Sequence, residues 1–136
     1  MVLDANIFIR AVLGSRVLSL LREYSEVAEF AAPDTAFQEA RENLPGILKR
    51  RGVPENEPMA LLASLETLVR MVDFETYSRH EIIARKRMIL RDESDWPILA
   101  TALALGFPIW TEDTDFFGCG VATWTTDRVE LYLDVL

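Results

Sequence analysis

Asp95-Trp96-Pro97-Ile98-Leu99-Ala100-Thr101-Ala102-Leu103-Ala104-Leu105-Gly106-Phe107-Pro108-Ile109-Trp110-Thr111-Glu112-Asp113 is the most legible stretch of the chain. Asp95 precedes Trp96-Pro97, and proline is tolerated in the first turn of a helix because its missing N–H has no partner there. The apolar run from Trp96 then reads as a helix to Gly106. Phe107 to Thr111 follows as a strand, ending at Thr111-Glu112-Asp113. A helix handed straight to a strand that terminates in acids is the unit from which α/β sheets are built.

Upstream, the same alternation recurs. Met1 to Leu3 is a short apolar strand ending at Asp4. Val17, Leu18, Leu21 and Tyr24 make one helical stripe over Arg16 to Tyr24. Glu29 to Ala32 reads as a second strand, closed by Pro33. Asp34 caps a helix through Phe37, Ala40 and Leu44, which Pro45-Gly46 is expected to interrupt before Gly52. Glu57 to Arg70 is amphipathic, with Leu61, Leu62, Leu65, Leu68 and Val69 inward, and Met71 to Phe74 reads as a third strand. Ser78-Arg79-His80-Glu81 has the spacing of a capping box, opening a helix to about Leu90. Val121 to Trp124 is a fifth strand, and Asp127 to Leu136 a closing helix. Alternating elements of this kind imply a layered α/β fold with a largely parallel sheet. In such sheets the site lies beyond the carboxyl ends of the strands, where Asp4 and Thr111-Glu112-Asp113 fall.

The chain has 136 residues and no repeat, low-complexity tract or linker, so residues 1–136 read as one domain. Half of it is hydrophobic, which excludes a disordered chain. No apolar run approaches the ~20 residues of a membrane span. Met1-Val2-Leu3-Asp4 has neither a basic nor a long apolar leader segment, so no secretory signal is expected. Cys119 is the single cysteine, which fits a reducing cytoplasm; between Gly118 and Gly120 it has no neighbouring base and reads as a small buried residue. Net charge is −8, but it is unevenly spread. From Asp92 onward there are nine acids and one base, Arg128, while the preceding residues balance at thirteen of each sign. The acid excess is thus local, suggesting a cation site or a solubilising face, rather than general repulsion of nucleic acid.

Asp4, Glu39, Asp95 and the pair Asp113 and Asp115 put acids at strand ends or helix starts that could converge. Each has a structural alternative: Asp95 as an N-cap, Asp115 as the cap of a turn at Phe116-Phe117, Glu39 as a solvated helical residue. Crowded carboxylates repel and need a cation to stay ionised. Oxygen-only ligands select hard ions, Mg²⁺ or Mn²⁺. Such a site can activate a water and stabilise the leaving oxygen of a phosphodiester without His or Cys.

Four segments in order resemble PIN-domain nucleases, the group that includes VapC-type toxins. Val2-Leu3-Asp4-Ala5-Asn6 is similar to the opening strand motif, and Ala32-Pro33-Asp34-Thr35-Ala36-Phe37-Gln38-Glu39 to the helix with the family's glutamate. Asp95-Trp96-Pro97-Ile98-Leu99-Ala100-Thr101-Ala102-Leu103 resembles the helix opened by the third acid. Ile109-Trp110-Thr111-Glu112-Asp113-Thr114-Asp115-Phe116 resembles the Thr-x-Asp strand end followed by Asp-Phe. The resemblance covers nearly the whole chain. It implies a three-layer α/β/α fold and a metal-dependent endoribonuclease, with Asp4, Glu39, Asp95 and Asp113 as catalytic, metal-binding acids and Asp115 as a fifth ligand. Asn6 and Thr111 would hydrogen-bond those ligands, or Asn6 would cap the first helix. The resemblance also implies a homodimer and an antitoxin partner. Asp92 and Glu42 offer rival acids; the apolar register starting directly after Asp95 favours Asp95.

Ten of the fourteen basic residues lie between Arg41 and Arg91. Arg79, Arg85, Lys86 and Arg87 share one helix and are candidate contacts to RNA phosphates, since guanidinium suits phosphate geometry; the alternative is a solvated face. Trp96, Trp110 and Trp124 could stack bases or belong to the core, and His80 reads as helix surface. Asp113-Thr114-Asp115 also resembles the Asp-x-Asp of haloacid-dehalogenase phosphatases, and the acid set a response-regulator receiver. Both need a later lysine, and none follows Lys86. The remaining alternative is a PIN-like module that binds RNA or protein without cleaving.

Overall fold

The computed structural model describes residues 1–136. Five strands, β1 (Val2–Leu3), β2 (Phe30–Pro33), β3 (Val69–Val72), β4 (Ile109–Trp110) and β5 (Thr123–Trp124), form one sheet in the order β3-β2-β1-β4-β5. Every neighbouring pair is parallel. The central strands are short and wholly enclosed: Val2, Leu3, Ala31, Ala32, Ile109 and Trp110 have no exposed surface. A strand covered on both faces must be apolar throughout, which these are.

The helices are α1 (Ala5–Leu13), α2 (Arg16–Glu23), α3 (Asp34–Arg51), α4 (Asn56–Ser64), α5 (Phe74–Tyr77), α6 (Glu81–Met88), α7 (Trp96–Leu105) and α8 (Val129–Leu133). Helix α1 packs against α2, α3 and α4, while α7 packs against α5 and α6. The grouping follows from chain direction. From β1 to β3 the chain steps one way across the sheet, and right-handed crossovers put α1 to α4 on one face; the return to β4 puts α5 to α7 on the other. This is the three-layer α/β/α fold. Helix α7 is buried along Trp96 to Ala102 on all sides, which is why its sequence shows a run and no stripe.

Several elements differ from the sequence expectations. Helix α1, anticipated only as a helix that Asn6 would cap, begins at Ala5, before Asn6. Helix α3 continues through Pro45 and Gly46 to Arg51. An interior proline costs a hydrogen bond and about 3 kcal/mol. Against that, Phe37, Ala40, Leu44 and Leu48 keep one buried stripe across the proline, so core packing holds the helix together. Strand β3 is Val69–Val72, two residues before the expected strand, because the preceding helix stops at Ser64 and a 3-10 turn (Leu65–Thr67) intervenes. The Ser78–Glu81 capping box does not form. Ser78 Oγ donates back to the Glu75 carbonyl at 3.3 Å, within a 3-10 turn that links α5 to α6.

Candidate active site

In the strand order β3-β2-β1-β4-β5, β1 and β4 are the neighbours between which the chain changes direction of travel. A crevice opens at such a point beyond the carboxyl ends of the strands. The register pairs Leu3 with Trp110, so the next residues, Asp4 and Thr111, emerge side by side. The Thr111 hydroxyl donates to Asp4 Oδ2, and Asp4 Oδ1 accepts the Ile7 N–H at 3.1 Å. Asp4 is therefore the N-cap of α1, which removes that role from Asn6, an exposed residue of the helix's first turn. Thr111 Oγ1 also accepts the Asp113 N–H at 2.9 Å, and Asp113 Oδ1 accepts the Asp115 N–H at 2.9 Å. A buried threonine thus ties the first acid to the acid turn. Asp113, and not Asp115, caps the 3-10 turn that follows.

Asp95 stands at the N-cap position of α7, yet its side chain makes no capping hydrogen bond. Asp92 takes the local capping work, accepting the Ser94 N–H at 3.0 Å while remaining exposed. Asp95 is half-buried and lines a cleft of about 430 Å³ together with Glu39, Tyr77, Arg85 and Trp96. Burial pushes the Asp95 carboxyl up to about 7, with the charges of Asp92, Asp113, Asp4 and Glu39 adding to the rise. Burial likewise raises Asp4 to about 6, opposed by its hydrogen bonds and assisted by Asp113. Glu39 is raised by partial burial and by the charges of Asp92 and Glu42. Glu39, Asp4, Asp95 and Asp113 are therefore near enough for their charges to interact.

No three Asp, Glu, His or Cys side chains stand at metal-sharing distance. The fit to a divalent cation is one of chemistry: an oxygen-only donor set, two members of which are held above the ordinary carboxylate range by burial and like charge, a penalty that a cation relieves.

On the basic helix, Arg85 reaches the cleft, bonding Glu81 at 2.8 Å and Glu93 at 3.3 Å, with its guanidinium 4.9 Å from the Trp96 ring centre. Arg87 Nη1 donates to the Cys119 carbonyl at 3.2 Å, and Arg91 Nη1 to the Asp115 carbonyl at 2.8 Å. Arg79 lies away from the cleft with Glu75, Thr76 and His80, and Lys86 is exposed. Trp110 and Trp96 are both buried in the core, and Trp96 also packs with Phe74 and Tyr77 beside the cleft. Two features were not read from the sequence. Asp92 serves as a cap, which Ser94 two residues on signals. Four arginines, Arg10, Arg16, Arg50 and Arg51, line a groove beside Asn6; the Asn6–Arg10 spacing of one helical turn is the only local sign of it.

The sequence matches the PIN domain family over residues 2–134. The chain belongs to the PIN domain family. Among solved structures, it is similar to a chain of VapBC2 from Rickettsia felis bound to a DNA fragment from its promoter, at 14% identity and a TM-score of 0.71, covering 91% of this chain and 96% of that one. It is also similar to a chain of a toxin–antitoxin complex from Klebsiella pneumoniae, at 18% identity and a TM-score of 0.63, covering 92% and 96%. FitAB bound to an IR36 DNA fragment matches at 21% identity and a TM-score of 0.60, covering 92% and 94%. At these identities the likeness is one of fold. No curated protein matches the chain by sequence. In this PIN domain Asp4 and Asp113 follow the ends of the adjacent strands β1 and β4, while Asp95, before α7, and Glu39, in α3, line one cleft from opposite helical layers.

Proposed function

We propose that this PIN domain is a metal-dependent endoribonuclease that hydrolyses RNA phosphodiester bonds. The observation that carries the reading is the buried Asp4 at the β1–β4 crevice, held by Thr111 and surrounded by the charges of Asp95, Asp113 and, through Asp95, Glu39. Asp4, Glu39, Asp95 and Asp113 would hold the cation, with Asp115 beside them. Mg²⁺ or Mn²⁺ bound there supplies Lewis-acid stabilisation of charge on the phosphodiester oxygens. Thr111 fixes the Asp4 carboxylate and the backbone of Asp113, so the acids keep their spacing without relying on flexible side chains. Asn6, exposed one helical step from Asp4, is placed to meet substrate or ligand at the crevice mouth. Trp96 lines the cleft that holds Asp95 and Glu39, with the paired Arg85 guanidinium over its ring, where the indole can support a base.

The complexes that the fold resembles include toxin–antitoxin pairs, which supports reading this chain as a toxin with an antitoxin partner. A homodimer is supported by the exposed apolar side chains Ile82, Ile89 and Leu90 on and after α6. No helix is long and apolar enough to cross a membrane, and with one buried free cysteine the cytoplasm is the proposed compartment.

The deciding experiment incubates purified protein with mixed RNA and Mn²⁺, with and without chelator, beside a thermal melt across a metal titration. Metal-dependent cleavage with a rising melting point is expected. Intact RNA under every condition would leave a binding module without turnover.

A further inference from the structure

A groove of about 880 Å³ runs between the start of α2, the end of α1 and the end of α3, lined by Asn6, Arg10, Arg16, Arg50, Arg51 and Glu112. Arg16 is paired with Glu130, and Glu112 accepts the Thr126 N–H at 2.7 Å. Arg10, Arg50 and Arg51 are exposed and have neither a carboxylate partner nor a hydrogen bond to the rest of the chain. In a chain of net charge −8, three unpaired guanidiniums gathered along one concavity are conspicuous: Glu112 and Asp127 lie beside Arg10, but Glu112 is taken up by the Thr126 N–H and Asp127 by the Thr125 hydroxyl, and neither pairs with any of the three. On α6 the opposite holds: Arg85 is taken up by Glu81 and Glu93, and Arg87 by the Cys119 carbonyl. Arg22 and Arg79 are likewise without a partner but stand outside the groove; the groove is where three free donor forks gather together.

Two of the residues that line the groove adjoin the acids in the chain. Asn6 follows Asp4 by two residues, and Glu112 lies between Thr111 and Asp113. We propose that Arg10, Arg50 and Arg51 bind the backbone phosphates of the RNA strand flanking the bond to be cut, so that substrate enters along α1 and α3 and not along α6. The inference rests on the ribonuclease reading for the identity of the strand. Guanidinium forks match phosphate oxygens two at a time, and clustered basic groups in a cleft concentrate a polyanion there.

The test measures binding of a short fluorescent single-stranded RNA by anisotropy, in chelator so that nothing is cut, over a range of salt. Arg10→Gln, Arg50→Gln and Arg51→Gln combined should weaken binding about tenfold or more and flatten the salt slope by about 0.7 for each phosphate no longer neutralised. A charge-matched control, Arg22→Gln with Arg41→Gln and Arg70→Gln, should bind nearly as wild type. Each groove substitution made alone, should the triple not fold, is expected to carry its own share of the slope. Equal losses in groove and control triples reduce the effect to net charge and overturn the proposal, as does wild-type affinity in the groove triple. Displacement of the RNA by poly-glutamate at equal or lower concentration assigns the groove to an acidic protein segment and also overturns it. Groove-dependent binding without metal-dependent cleavage would keep the groove and defeat the hydrolytic reading; normal cleavage with groove-independent binding would do the reverse.

Discussion

Asp95 and Asp92 stand three positions apart and put their side chains to opposite uses. Asp92 spends its carboxylate on Ser94 and stays in solvent, whereas Asp95 leaves its helix uncapped and faces a cleft with Glu39. An N-cap carboxylate ordinarily contributes about 1 kcal/mol, so a cap position that forgoes its bond points to another task. Asp95→Asn is accordingly expected to abolish metal-dependent cleavage, while Asp92→Asn should lose less than about tenfold, ~1.4 kcal/mol of barrier. Steady-state rates of the two variants check this, and equal losses would sink the assignment. Thr111 is the second decisive residue, since its buried hydroxyl both donates to Asp4 and accepts from Asp113. Thr111→Val keeps the shape and strands two buried groups, which should cost about 1–3 kcal/mol in urea unfolding. A stability within error of wild type would show that the bridge is dispensable. Asp4 and Asp95 stand out as candidates in the sequence because they follow a strand and precede a helix, whereas Glu39 lies inside α3 and enters the set only through the resemblance to PIN-domain nucleases. Between Asp92 and Asp95 the sequence offered only the apolar register starting at Trp96, which favours Asp95; the capping bond that Asp92 makes to Ser94 is seen only in the structure.

At the scale of elements, the acid turn depends on a loop that packs against α6. Gly118 and Gly120 adopt φ of +85° and +90°, and a Cβ on either would come within 2.9 Å and 2.7 Å of the Arg91 and Arg87 guanidiniums. The same Arg91 holds the Asp115 carbonyl. Gly118→Ala should cost about 1–2 kcal/mol through its left-handed backbone alone. Gly46 offers the opposite case, a glycine inside α3 whose added methyl meets only Arg50, at 3.6 Å. Gly46→Ala should stabilise by about 0.5–1 kcal/mol. Melting both variants side by side tests the contrast, and a shift of the same sign in each would contradict it. The basic helix looked in sequence like a free cationic face; the Arg85–Glu81 pair one turn apart was legible there, but Glu93 and the Cys119 carbonyl that Arg85 and Arg87 also meet lie beyond the helix end or far along the chain, where no periodicity registers them. The proline-containing α3 misled for a related reason: local propensity sees Pro45, but not the buried stripe from Phe37 to Leu48 that outweighs it. Helix α7 and strand β4 were legible because cap, run, glycine and strand follow one another without tertiary help.

For the molecule as a whole, three acids of the last third, Asp92, Asp95 and Asp113, add their charges to those of Asp4 and Glu39, and this should govern how stability responds to pH and metal together. Asp4 and Asp95 bind protons more tightly folded, at about 6 and about 7, than at their ordinary value of 3.8. Between the ordinary and the raised values the folded state holds more protons than the unfolded one, so metal-free stability should fall as pH climbs from about 4 to about 7 and level off above. A divalent cation reverses the preference. It binds the deprotonated acids of the folded state and adds RT ln(1 + [L]/Kd), about 2.7 kcal/mol at a hundredfold excess over Kd. The metal-induced rise should therefore be larger near pH 8 than near pH 5, where protons compete for the same oxygens. Asp95→Asn, carrying no titratable group at that position, should flatten the metal-free decline and blunt the Mn²⁺ response, even while raising the metal-free melting point at high pH. Asp92→Asn should retain most of both. Thermal denaturation of wild type and the two variants at the two pH values, with chelator or with millimolar Mn²⁺, provides the reading. A wild-type melting point that climbs with pH in chelator and ignores Mn²⁺ would remove the acid cluster as a cation site, and the proposed hydrolytic mechanism with it.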